Sequence, residues 1–185
     1  MARLTDPTGR LDAEGAETLR RMTERRKAVG AGLPGPYGPL LHQPHLAERV
    51  DDLGFYLRYA SRLPRDLYEF VVLCFARRHR VPYVWATHAG PAAAAGLGPD
   101  VLDALRRDDP LRVPEPYRTA AAVAEAAMAY RSLAPDLQAE ALERFGAAAL
   151  VEIVTLCGFY AIMGMVGQAF ELPLPPGTDA PFAPE

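Results

Sequence analysis

The chain has 185 residues, half of them apolar, with 20 basic against 23 acidic side chains and a net charge of -3. That is enough for one ordinary domain with a proper core. The balanced charge, with no basic block and no arginine–aromatic interleaving, argues against a nucleic-acid partner. The two cysteines, Cys74 and Cys157, lie far apart in apolar runs and read as small buried hydrophobes, not as a secreted disulfide framework. The opening fifteen residues carry no apolar core of the signal-peptide kind, so a cytoplasmic location is the expectation.

In chain order, residues 12–28 read as a charged amphipathic helix with Leu19, Met22 and Val29 on one side. Its many Arg and Glu residues suit a solvated face, or an arm laid across a neighbouring subunit. Residues 30–44 are dense in Gly and Pro and read as a loop, yet Leu33, Tyr37, Leu40 and Leu41 need cover from water. Residues 45–62 place Leu46, Val50, Leu53, Leu57 and Ala60 at helical spacing. Pro64 starts the next helix, with Leu67, Phe70, Val71, Cys74 and Phe75 on its buried side. Pro82 opens a fourth, which Pro91 should kink and Gly96 should close.

A short helix follows from Gly98-Pro99 to about Arg107, then an Ala-rich one over 116–130, then one from Pro135 to Phe145 stopped by Gly146. The last runs from Ala147 to about Leu172. Residues 147–167 are about as long as a membrane span, but they hold Glu152 and lack a basic flank. They read as a core or subunit-interface helix, not a membrane anchor, with Glu152 neutralised by a buried partner across an interface. The tail from residue 173 is Pro-rich and reads as extended or disordered. With no period-2 segment of useful length, the expected fold is all-α, a single domain of about eight helices.

The chemistry concentrates in residues 67–97. Glu69 stands inside an apolar face, and the following helix opens with Tyr83 and Trp85 and presents His88. A carboxylate and an imidazole are costly to bury unless they pair or react. Val81, Val84, Trp85 and His88 recur at helical spacing and share one face. Elsewhere, His79 reads as a solvated helix-end residue, and His42 and His45 as loop residues near a pocket at best. Four histidines without ligand spacing give no metal set, and no glycine loop implies a nucleotide.

Three stretches taken together resemble the carboxymuconolactone decarboxylase-like family. They are GPYGPLLHQPHLAERVDDLGFYLRYASRLPRDLYEFVVL, VPYVWATHAGPAAAAGL and LVEIVTLCGFYAIMGMVGQAFEL, in that order. The resemblance implies a domain over 33–172 of the alkylhydroperoxidase D-like type, preceded by a helical arm over 1–32 and followed by the tail over 173–185. In the hydroperoxidase branch a C-x-x-C pair opens the second stretch, with a histidine four residues on and a glutamate twelve before. Here Val81 and Val84 stand at the cysteine positions and Tyr83 at that of a relay histidine. His88 and Glu69 match the remaining pair. Valine is neither nucleophile nor redox partner, so peroxide reduction by this route does not carry over.

The resemblance places Glu69 at the cavity that Val81, Val84, Trp85 and His88 would line. A carboxylate beside an imidazole makes an acid/base pair near neutral pH, and Tyr83 would supply a hydrogen bond to a carbonyl or enolate oxygen. Such a kit suits a cofactor-free decarboxylation of a small carboxylated lactone or related cyclic acid, and equally an isomerisation or cyclisation. An anionic substrate calls for a cation, for which Arg77, Arg78 and Arg80 are near in sequence, Arg77 foremost. The resemblance also implies a homo-oligomer, a trimer or hexamer. The alternative from another class is a small-molecule-binding or structural member that lost its chemistry with the cysteines.

Overall fold

In the computed structural model, residues 4–33, 35–109, 112–178 and 181–182 are described. Among them there are eight α-helices, one 3-10 turn and no strand, which meets the all-α expectation. The helices are α1 (Ala13–Lys27), α2 (Tyr37–Leu40), α3 (Pro44–Tyr59), α4 (Arg65–Arg78), α5 (Pro82–Ala94), α6 (Pro99–Arg106), α7 (Tyr117–Met128) and α8 (Pro135–Ala169). The chain forms two compact units, Met1–Tyr59 with Met165–Pro173 and Ala60–Gly164 with Leu174–Glu185. Residues 1–3, 34, 179–180 and 183–185, parts of the expected arm, loop and tail, lie outside the described residues, as do 110–111.

In the first unit α1 packs along α3. Asp12 caps α1, its carboxylate accepting the Gly15 N–H at 2.8 Å. The buried stripe of α1 is Gly15, Thr18, Met22 and Arg26, and that of α3 is Ala47, Val50, Asp51, Gly54 and Leu57. Met22, Val50 and Leu57 are buried as expected, while Val29, past the end of α1, is 43% exposed and Leu46 50%. Polar residues complete both stripes as an ion-pair seam. Arg26 donates from Nε to the fully buried Asp51 at 2.6 Å and lies 3.3 Å from the Tyr37 hydroxyl, while Arg25 bridges Asp51 and Asp52. Arg21 reaches Glu48 at 2.9 Å. The arginines of α1 thus face the acids of α3. Within the expected loop, Tyr37, Leu40 and Leu41 are buried, the first two on the single turn of α2.

The second unit is built around α4. Leu67 to Leu73 are buried without interruption, followed by Phe75 and Ala76, and α4 contacts α5, α6 and α7. Pro82 occupies the first turn of α5, and the helix runs on through Pro91 to Ala94. Gly146 breaks α8 with φ 75 and ψ 164, at the stop expected between two helices. Beyond it, Leu150, Glu152, Ile153, Leu156, Cys157, Phe159, Tyr160 and Met163 are buried. α8 is long and apolar enough to cross a membrane, and 56% of its most apolar stretch is buried inside the protein. Glu152 finds its partners within the chain: the Ser61 hydroxyl and the Arg62 N–H both donate to Oε2 at 2.8 Å. Both donors belong to the turn between α3 and α4.

Candidate functional site

The uninterrupted burial of α4 carries Glu69 inward with its apolar neighbours, and no surface of that carboxylate remains exposed. On α5, Val84, Trp85 and His88 are buried on one face, with Val81 buried at the position that precedes the helix. The two helices bring the imidazole and the acid together: His88 Nδ1 lies 2.6 Å from Glu69 Oε2. A carboxylate only accepts, so Nδ1 carries the proton. The other carboxylate oxygen is ion-paired by Arg65, one helical turn earlier on α4. Charge is therefore met by charge in a dry setting.

The second imidazole nitrogen is also engaged. Tyr160, from α8, places its hydroxyl 3.0 Å from His88 Nε2, and the Tyr68 hydroxyl lies 2.9 Å from that of Tyr160. With Nδ1 protonated, Nε2 of a neutral ring accepts, so Tyr160 donates to it and Tyr68 donates to Tyr160. The result is a directional chain, Tyr68 to Tyr160 to His88 to Glu69, closed by Arg65. The Tyr160 ring also meets the His88 ring edge-on, centroids 5.2 Å apart. At its outer end Arg65 lies over the Tyr68 ring at 4.8 Å and is 39% exposed, the one member of the chain that reaches water substantially.

Tyr160 and Tyr68 are the members that reading the sequence missed. Tyr68 neighbours Glu69 but stands in an apolar run, and Tyr160 stands in the most apolar helix of the chain. A buried tyrosine needs a partner for its hydroxyl, and that need was the only available signal. Tyr83 is half-buried in the first turn of α5, where its carbonyl accepts from Thr87 Oγ1 at 2.9 Å.

Arg77 is placed elsewhere. It lines a cavity of about 450 Å³ between α4, α6 and α7, together with Cys74, Leu105, Ala121, Glu125 and Met128, and no α5 residue lines that cavity. The remaining histidines are also apart from the pair. His42 lies 3.0 Å from the Thr5 carbonyl and His45 3.4 Å from Glu14, both in the first unit. His79 stacks on Phe75, and its burial, with Arg78 adding to it, holds it below the usual histidine range. Burial pushes the Cys157 thiol up to about 12 and also raises that of Cys74, where Cys157 adds to the shift. Thiolate, the reactive form, is thereby suppressed at both. Among the described residues no group of three or more His, Cys, Asp or Glu is arranged to hold a metal ion.

The fold and site thus define an all-α protein with a buried carboxylate–imidazole–phenol chain. Compared with family models and with curated proteins, the sequence matches none.

Proposed function

We propose that this protein is a cofactor-free acid/base enzyme of the carboxymuconolactone decarboxylase kind, on an alkylhydroperoxidase D-like fold. The reading rests on one observation, the buried 2.6 Å contact between His88 Nδ1 and Glu69 Oε2. Glu69 fixes the tautomer, and the imidazole in turn polarises the Tyr160 hydroxyl on its far side. Because protein groups hold both ring nitrogens, the acid offered to a substrate is the phenol of Tyr160, with His88 behind it.

In a decarboxylation, the bond from ring carbon to carboxylate breaks and its electron pair passes into the lactone carbonyl as a dienolate. The Tyr160 hydroxyl turns its proton from His88 Nε2 to the carbon, Tyr68 passes its own proton to Tyr160, and water at the Arg65 end returns one to Tyr68, so that the turnover consumes one solvent proton. Arg65, at the outer end of the chain, is the cation best placed to meet a substrate carboxylate. A proton-shift isomerisation or cyclisation would use the same parts. The chain is proposed to act in the cytoplasm, as a homo-oligomer.

A second reading is favoured by the same closed chain and by the cavity lying elsewhere: a binding or structural protein whose polar chain only specifies its core. Carbon dioxide release from carboxylated lactones separates the two. Glu69→Gln and His88→Ala are each expected to lower turnover roughly 100-fold or more while helical circular dichroism is retained. Turnover unchanged in both variants would sink the acid/base reading. Binding of small hydrophobic acids with no turnover of any of them would favour the second.

A further inference from the structure

The second unit holds a cavity that the acid/base chain does not use. It measures about 450 Å³ between α4, α6 and α7, within the size of small-molecule sites, and no residue of α5 lines it. Cys74, Leu105, Ala121 and Met128 form an apolar part of its wall. Three arginines and three acids form a charged part, so the wall carries both signs in balance.

Four of those six charges are closely paired. Arg78 Nε donates to both oxygens of Glu125 at 3.3 Å, Arg118 reaches Glu115 at 2.8 Å, and Arg112 reaches Asp109 at 2.9 Å. The other two, Arg77 and Asp108, approach one another only to 3.9 Å, too far for a hydrogen bond. Arg77 Nε has no hydrogen-bond partner among the described residues, and the Phe182 ring, 5.6 Å away, offers that guanidinium a π face but no acceptor. Asp108 is held in place by its backbone, whose N–H closes α6 on the Leu105 carbonyl at 3.1 Å. The cavity thus presents one loosely matched cation and anion beside an apolar surface.

We propose that this cavity binds a free apolar α-amino acid, its carboxylate on Arg77, its ammonium on Asp108 and its side chain against Leu105, Ala121 and Met128. A simple anion would meet Arg77 but would bring like charge beside Asp108, Asp109 and Glu125, and a simple cation would do the same beside the arginines. An amino acid carries both charges one carbon apart, which suits two protein charges 3.9 Å apart, and each contact becomes a charge-assisted hydrogen bond. The site stands whether or not His88 performs chemistry.

L-leucine titrated calorimetrically into the full-length protein at two temperatures should bind at one site per chain. Leucinamide (no carboxylate) and N-acetyl-leucine (no ammonium) should each bind about tenfold more weakly, given what a charge-assisted hydrogen bond contributes. Alanine should also lose about tenfold, because it leaves the apolar wall uncovered. Arg77→Gln should weaken leucine about tenfold, and Asp108→Asn about fivefold, since that carboxylate is 60% exposed and partly screened. Ala122 lines the cavity from an exposed position, so Ala122→Trp fills the space without entering the core. That variant should lose leucine binding with its helical circular dichroism retained. The proposal is overturned if leucine gives no saturable heat at either temperature, or if leucinamide and N-acetyl-leucine bind as well as leucine. Leucine binding by Ala122→Trp at the parent's affinity would equally overturn it.

Discussion

A single imidazole with both nitrogens occupied sets the problem at the scale of residues. Glu69 holds one side of His88 and Tyr160 the other, and Tyr160 in turn takes a bond from Tyr68. Deleting one hydroxyl therefore strands two buried groups. Tyr160→Phe leaves Nε2 without a donor and Tyr68 without its acceptor, at a cost of about 1–3 kcal/mol because unmet buried polar atoms carry the full desolvation penalty. Tyr68→Phe removes the outer bond and leaves the Tyr160–His88 bond in place, so it should cost less. Urea denaturation of both variants tests the order. If Tyr160→Phe were within about 0.5 kcal/mol of the parent protein, the range of an ordinary surface change, the chain would not be closed as described. Under the acid/base reading, Tyr160→Phe also lowers kcat with little change in KM, a split that a merely structural bond does not produce.

At the scale of helices, the ends are more uniform than their sequences suggest. Six helices close with the same paired backbone bonds, as at the end of α7, where the Arg131 N–H donates to the Ala126 carbonyl and the Tyr130 N–H to that of Ala127. The residue at the turn takes positive φ. Gly30 and Gly96 do so cheaply, but Arg80, Asp108, Tyr130 and Glu171 do so at φ between 50 and 61. Tyr130 is 93% exposed, so nothing is packed against it to lose. Tyr130→Gly should raise stability by about 1 kcal/mol, the strain removed outweighing the added freedom of the unfolded chain. A thermal melt should show this as a midpoint about 2–4 °C higher, and a lower midpoint would refute the strain argument.

These ends also mark what was legible in advance. Prolines at 64, 82, 99 and 135 and glycines at 96 and 146 announced helix boundaries because their backbone limits act locally. Arg80 and Tyr130 announced nothing, since a paired-bond closure imposed by the helix can override a side chain's preference. The same limit applies to faces. Apolar spacing placed the buried side of α4 and α5, and with it Glu69 and His88. On α1 and α3 it placed Met22, Val50 and Leu57 but not the buried arginine–aspartate seam beside them. Tyr160 reaches His88 across 72 positions of chain. No local pattern records such a pairing.

For the whole molecule, the far side of α8 is the feature that the chain's own packing leaves unexplained. Val151, Val154 and Ile162 are exposed at 64%, 42% and 41%, with Ala147 exposed before them and Gly158 among them at helical spacing. Small residues among branched ones allow a second helix to approach closely, and each half-exposed branched side chain covered would contribute roughly 1 kcal/mol. We propose that another copy of the chain covers this face. Sedimentation at micromolar concentration should then give a multiple of the 20.1 kDa chain mass, in the soluble fraction without detergent. Val151→Glu together with Val154→Glu would place two carboxylates at the contact. Both positions face outward, so the helix should stay folded while the assembly falls to single chains. A parent protein that already sediments as one chain removes the oligomer from the proposal. One that stays in the membrane fraction until detergent is added would show that lipid covers the face.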